Sequence, residues 1–158
     1  MSTRSIIGLI DKDGTIKAAW QWCDGYETIK YLRKYFRTKE LAEELINEGC
    51  YFSSIFTASE KASFETWEKK YAMDGTYLQL SNDIYLRKRL YEFLQKNPIH
   101  YNSIREMLGE DVSYIYIFDE KTCSWVRIDT GFKYDINHKR WIKSKNASHK
   151  TREFLKHK

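Results

Sequence analysis

Proline occurs once, cysteine three times and glycine seven times in the 158 residues of this chain. A lone Pro98 excludes a proline-rich linker or a polyproline ligand. Cys23, Cys50 and Cys123 are odd in number and widely spaced, with no CxxC pair, so a disulfide framework and a zinc site are both disfavoured and the usage is that of a reducing compartment. Long apolar runs are missing too. The run after Arg4 breaks at Asp11, far short of the roughly 18 to 20 apolar residues of a membrane span, and it lacks the form of a leader peptide. A soluble, cytoplasmic protein with no membrane partner is expected, and neither an internal repeat nor a low-complexity segment divides it.

What is present is an aromatic surplus: eight Phe, five Trp and twelve Tyr. Such residues fill cores, yet Tyr and Trp also keep a polar tip suited to interfaces and to stacking on nucleobases. The length suits one domain able to bury a core without cross-links. Charge is unevenly spread. Residues 133 to 158 hold nine Lys or Arg against Asp135 and Glu153, whereas 1 to 132 hold 18 basic and 20 acidic residues. The expected organisation is therefore a compact domain over 1–132 and a basic extension over 133–158, either a solvated tail or an attractor of phosphates and acidic surfaces.

Periodicity supplies the elements. Ile6 to Ile10 and Thr15 to Trp22 flank Asp13-Gly14 and predict a hairpin, with Ile16, Ala18 and Trp20 on the one face turned to a core. A 3.6-residue period then predicts a helix over about 27 to 36. Thr38 caps a second helix that ends with Gly49 in the C′ position. Tyr51 to Thr57 reads as strand or loop. Ser59 is expected to cap a helix over 60 to 71 with Phe64, Trp67 and Tyr71 on one face. After Asp74-Gly75, Thr76 to Leu80 is a candidate strand, and Asn82 is expected to cap a helix reaching about Lys96 on Leu86, Leu90, Phe93 and Leu94. Ser103 and Glu106 have capping-box spacing, and Val112 to Phe118 with Ser124 to Asp129 predict another hairpin. Strands at both ends with helices between them predict an α+β fold with a mainly antiparallel sheet.

Signatures of chemistry are sparse. His100, His138, His149 and His157 lack HxH or HExxH spacing, three of them in the basic segment, so no metal or other cofactor is expected. Cys23 beside Asp24-Gly25 has the placement of an activated thiol, but no GxSxG, Cys/His signature or phosphate-binding loop accompanies it. Asp11 and Asp13, like Asp119 and Glu120, fall in turns that explain them, and Glu40, Glu43, Glu44 and Glu48 form a solvated helical face. A basic run, Arg87, Lys88 and Arg89, read as helical, joins Lys139, Arg140, Trp141, Lys143 and Lys145 as a candidate nucleic-acid face. Thr3, Arg4, Ser5, Asp24 and Tyr26 are a candidate ligand site at the hairpin, against the plainer reading that Arg4 and Asp24 are a salt bridge and cap.

Thr3-Arg4-Ser5, the apolar strand, Asp13-Gly14, the return strand and Asp24-Gly25-Tyr26 together resemble a family of small phage and prophage proteins that opens Met-Gly-Thr-Arg-Ser. Those proteins carry His-Trp-Asp-Gly-Tyr-Pro where this chain has Trp22-Cys23-Asp24-Gly25-Tyr26-Glu27. The likeness covers about the first 50 residues and, loosely, the hairpin near Trp125. Any His-dependent reaction of the family is put in doubt here by Trp22 and Cys23. The resemblance implies an accessory factor that binds and inhibits a bacterial defence protein or ribonucleoprotein complex, anti-CRISPR-like, stoichiometric and non-catalytic. The alternatives are a nucleic-acid-binding module and a small-ligand-binding protein or enzyme with its site near the N-terminal hairpin.

Overall fold

The computed structural model describes residues 3–135 and 137–143, the strands at 132–135 and 140–143 by their pairing alone. Its frame is set by β1 (Ser5–Ile10) and β2 (Ile16–Gln21), paired antiparallel from Ser5 opposite Gln21 to Ile10 opposite Ile16. The turn forms as Asp-Gly requires: Gly14 has φ +88°, and Thr15 donates from N–H and hydroxyl to the Asp13 carboxylate at 3.0 and 2.6 Å.

Two helices follow, α1 (Thr28–Tyr35) and α2 (Lys39–Gly49), the second capped by Thr38, whose Oγ1 accepts from the Leu41 N–H at 3.2 Å. The left-handed residue at its end is Cys50, φ +47°, rather than Gly49. Gly49 stays helical because its missing side chain lets Leu86 and Phe52 pack close, a Cβ there lying 3.2 and 3.4 Å from them.

Tyr51 to Thr57 is strand, split at Ser53 into β3 (Tyr51–Phe52) and β4 (Ser54–Thr57), which belong to different sheets. Thr57, not Ser59, caps α3 (Ala58–Lys70), in a capping box with Glu60. Glu60 also accepts from the Tyr31 hydroxyl at 2.7 Å. Burial pushes the Glu60 carboxyl up, but the bonds from Tyr31 and Thr57 outweigh it and hold its pKa below the usual 4.5. A carboxylate so depressed stabilises fully above its unfolded pKa and loses that contribution as pH falls through the folded one. Thr57→Ala is expected to cost about 1 kcal/mol at neutral pH and to flatten the acid limb of the stability profile, read by urea unfolding between pH 7 and pH 3.

The helix expected from Asn82 does not form. β5 (Thr76–Gln79) turns into β6 (Ile84–Lys88), because Asp83 adopts φ +57° and donates its N–H to Leu80 O at 3.1 Å, closing a hairpin that Asn and Asp favour. Ile84 and Leu86 are fully buried along β6, while of the rest of the expected stripe Phe93 is half-buried and Leu90 and Leu94 lie beyond the strand at 81% and 76% exposed. Only a single turn, α4 (Leu90–Phe93), is helical there.

The chain closes with β7 (Ile99–Tyr101), α5 (Ile104–Met107, capped by Ser103), β8 (Tyr114–Asp119), β9 (Ser124–Asp129), β10 (Phe132–Asp135) and β11 (Arg140–Lys143). The main sheet runs β3-β2-β1-β8-β9, with β7 on the same edge of β2 as β3. A smaller sheet runs β4-β6-β5, and β10 pairs β11. The fold is α+β and mostly antiparallel, as expected, but β1 with β8 and β2 with β3 are parallel.

Both faces of the main sheet are covered, which corrects the expectation of one. Ile7, Leu9, Ala19, Tyr116 and Phe118 pack with Leu32, Leu45 and Ile46 of the helices. Ile6, Ile16, Ala18, Ile115 and Ile117 pack on the other side with Ile104 and Met107. Central strands covered on both faces read as near-continuous apolar runs, as β1 and β8 do. No helix among the described residues is long and apolar enough to cross a membrane.

Candidate functional site

Where the two sheets part company at Ser53, three segments lie side by side. Cys23 N–H donates to Ser53 O at 2.8 Å, and Ser53 N–H donates to Arg87 O at 2.8 Å. This ladder floors a cleft of about 500 Å³ lined also by Asp24, Ser54, Arg89 and, from α3 and its following turn, Ser63, Phe64, Trp67 and Met73. The wall is aromatic because Phe64 and Trp67 of α3 face the cleft. Glu68 is the buried residue of that helix, while Trp67 is 45% exposed and Tyr71 56%.

Glu68 turns inward to meet a cation. The Arg87 guanidinium, itself buried, pairs with Glu68 through Nε and donates from Nη2 to Asp74 O at 3.2 Å. Gly75 admits this pair, since a Cβ there would overlap both the Glu68 carboxylate and the Arg87 Nε. Burial, reinforced by the Glu68 carboxylate, pushes the Tyr77 hydroxyl well above its usual range. A second buried carboxylate, Glu92, accepts from the Ser53 hydroxyl at 3.1 Å and from Arg89 N–H at 2.8 Å, which fixes the β6-to-α4 corner.

Asp24 is fixed from the opposite side. It has φ +58°, and Gly25 N–H donates to Thr3 O at 2.8 Å. The buried Tyr116 hydroxyl donates to Gly25 O, and the Thr28 hydroxyl to Gln21 Oε1 at 2.6 Å. The rim of the cleft is thus a rigid turn rather than a free loop.

The expected site residues divide accordingly. Of the hairpin group, Asp24 lines the cleft. Thr3 contributes its carbonyl to Gly25, Ser5 is fully buried, and Arg4 pairs with Asp111 at 2.9 Å and stands over the Trp22 ring. Tyr26 is exposed beneath the Arg127 guanidinium, 4.9 Å from its ring centre. Of the basic run, Arg87 and Lys88 are buried in a strand and cannot form a helical phosphate-binding face. Lys88 donates to Glu48 O at 3.1 Å, and burial pushes its pKa down. Arg89 alone is exposed and lines the cleft, and among the described residues its guanidinium has no hydrogen-bond or ion-pair partner.

Lys139 is exposed in the β10–β11 turn, Arg140, Trp141 and Lys143 belong to β11, and Lys145 lies outside the described residues. No group of three or more His, Cys, Asp or Glu able to hold a metal occurs among the described residues. The sequence reading missed Ser53, Ser54, Phe64, Trp67 and Met73 as cleft residues. The signal for the aromatic wall was Glu68 within an aromatic stripe, a charge that faces inward only when a buried cation meets it. Compared with known proteins, the chain matches no family model, no curated protein and no solved structure.

Proposed function

We propose that this protein is a binding module that docks a protein partner through the apolar projections beside the cleft. The observation that carries the reading is two groups of large apolar side chains left in solvent, one on each of two segments that line the cleft. Trp67, Tyr71 and Met73 stand out from α3 and its following turn, and Leu90, Tyr91 and Leu94 follow directly on Arg89. Trp, Tyr and Arg are the residues that dominate binding energy at interfaces, and large exposed apolar groups near one another mark such surfaces. They are held on rigid supports, the capped α3 and the Glu92 corner, so docking costs little ordering entropy. The phage-family resemblance of the N-terminus supplies the partner class: a bacterial defence complex, inhibited by stoichiometric contact.

Leu90→Asp with Leu94→Asp places charge on two exposed positions and spares the core. The tagged double variant is expected to lose, by more than about tenfold, a stoichiometric protein partner that the parent retains from nuclease-treated lysate of defence-competent bacteria. It is also expected to lose the ability to restore phage plaque formation on a defended host. Equal recovery and equal plaque restoration by parent and variant would sink this reading, and recovery that disappears on nuclease treatment would favour the basic β11 segment as a nucleic-acid contact.

A further inference from the structure

We infer that the cleft between α3 and the Cys23–Ser53–Arg87 floor is a binding site for a mononucleotide, base on the aromatic wall and phosphate at Arg89. The volume, about 500 Å³, is that of a small-molecule site, and the lining joins an apolar wall to a few convergent polar groups. Phe64 is stacked on Phe56 at 4.6 Å with the rings 8° from parallel, which fixes it. Trp67 meets Phe64 edge-on at 6.5 Å and remains half in solvent, so a planar ring can still cover it. Indole is a strong platform for a nucleobase.

The polar groups sit at two poles. Asp24 belongs to the β2 side of the floor and Arg89 to the β6 side, with the Ser53 segment between them. Two strand spacings make that floor about 10 Å wide, roughly the span from the amino edge of a nucleobase to its 5′ phosphate. Of the two arginines, Arg87 is neutralised by Glu68, whereas the Arg89 guanidinium has no ion-pair partner among the described residues. One available guanidinium suits one phosphate, bidentately, rather than a di- or triphosphate. A carboxylate at Asp24 favours a base with an exocyclic amine, such as adenine or cytosine, over uracil, whose N3–H donor is flanked by two carbonyl oxygens that repel it. Between the poles lies Ser54, a residue 4% exposed that lines the cleft. Its hydroxyl can donate to or accept from a ribose hydroxyl.

The test is titration calorimetry, with tryptophan fluorescence as second readout, of the full chain against AMP, UMP, adenosine and inorganic phosphate. AMP is expected to bind at sub-millimolar concentration and to quench fluorescence, with adenosine, phosphate and UMP each weaker by about tenfold or more. Arg89→Gln should bring AMP down to the level of adenosine, and Asp24→Asn should erase the preference for AMP over UMP. Both positions are exposed, so the fold is retained, which a thermal melt checks. Leu90→Asp with Leu94→Asp should bind AMP as the parent does, which separates this site from the Leu90–Leu94 part of the partner surface. No heat and no quenching with AMP at millimolar concentration overturns the inference, as does AMP binding unchanged in Arg89→Gln, or phosphate binding as tightly as AMP.

Discussion

Replacing Glu68 with leucine is expected to destabilise the fold by about 3 to 5 kcal/mol, because it leaves the Arg87 guanidinium buried with only the Asp74 carbonyl to meet it. The two side chains are 5% and 7% exposed, so solvent cannot take over the missing charge. The double replacement Glu68→Leu with Arg87→Met removes both charges and keeps the volume, and it is expected to recover most of the loss. Urea unfolding of the parent, both singles and the double, with equal slopes, yields the coupling between the two groups. A single Glu68→Leu that costs less than about 1 kcal/mol would show that the pair is hydrated, and the packing of Gly75 against it would then carry no weight.

The same pair explains why part of the fold was illegible in the sequence. Elements governed by neighbours along the chain were readable: the Asp13-Gly14 turn, the Thr38 and Ser103 caps, and the hairpin of β8 and β9 each depend on residues within a few positions. The parallel pairing of β1 with β8 joins residues more than a hundred apart, and no local pattern encodes it. In α3 the stripe Phe64, Trp67 and Tyr71 satisfies helical periodicity, but Glu68 is buried in its place because Arg87 waits on β6. Conversely, Leu86, Leu90 and Leu94 mimic a helix while serving a strand and two exposed positions. Asp24 and Arg89 were both legible as chemically interesting residues. That they share a cleft depends on the chain crossing between sheets at Ser53, which is a tertiary event.

Phe52→Ala is the second substitution with a large expected effect, about 3 to 5 kcal/mol for removing a fully buried ring. Phe52 ends β3, its carbonyl accepts from Trp22 N–H at 3.0 Å, and its ring lies in the core cluster with Leu45 and Ile46, where a Cβ on Gly49 would touch it. The next two residues are Ser53 and Ser54, so the ring anchors the strand at the point where it leaves one sheet for the other. Stability alone does not isolate this role, since Leu45→Ala in α2 is expected to cost a comparable 2 to 5 kcal/mol. The difference lies in the cleft. Leu45 neither lines it nor adjoins a residue that does, so the folded fraction of Leu45→Ala should bind AMP as the parent does. Phe52→Ala should bind it several-fold more weakly even in buffer where it is fully folded, because the floor between Asp24 and Arg89 has lost its buried support. Equal affinity in the two variants, measured by calorimetry beside urea unfolding, would mean that the backbone bonds from Cys23 to Ser53 and from Ser53 to Arg87 position the floor unaided.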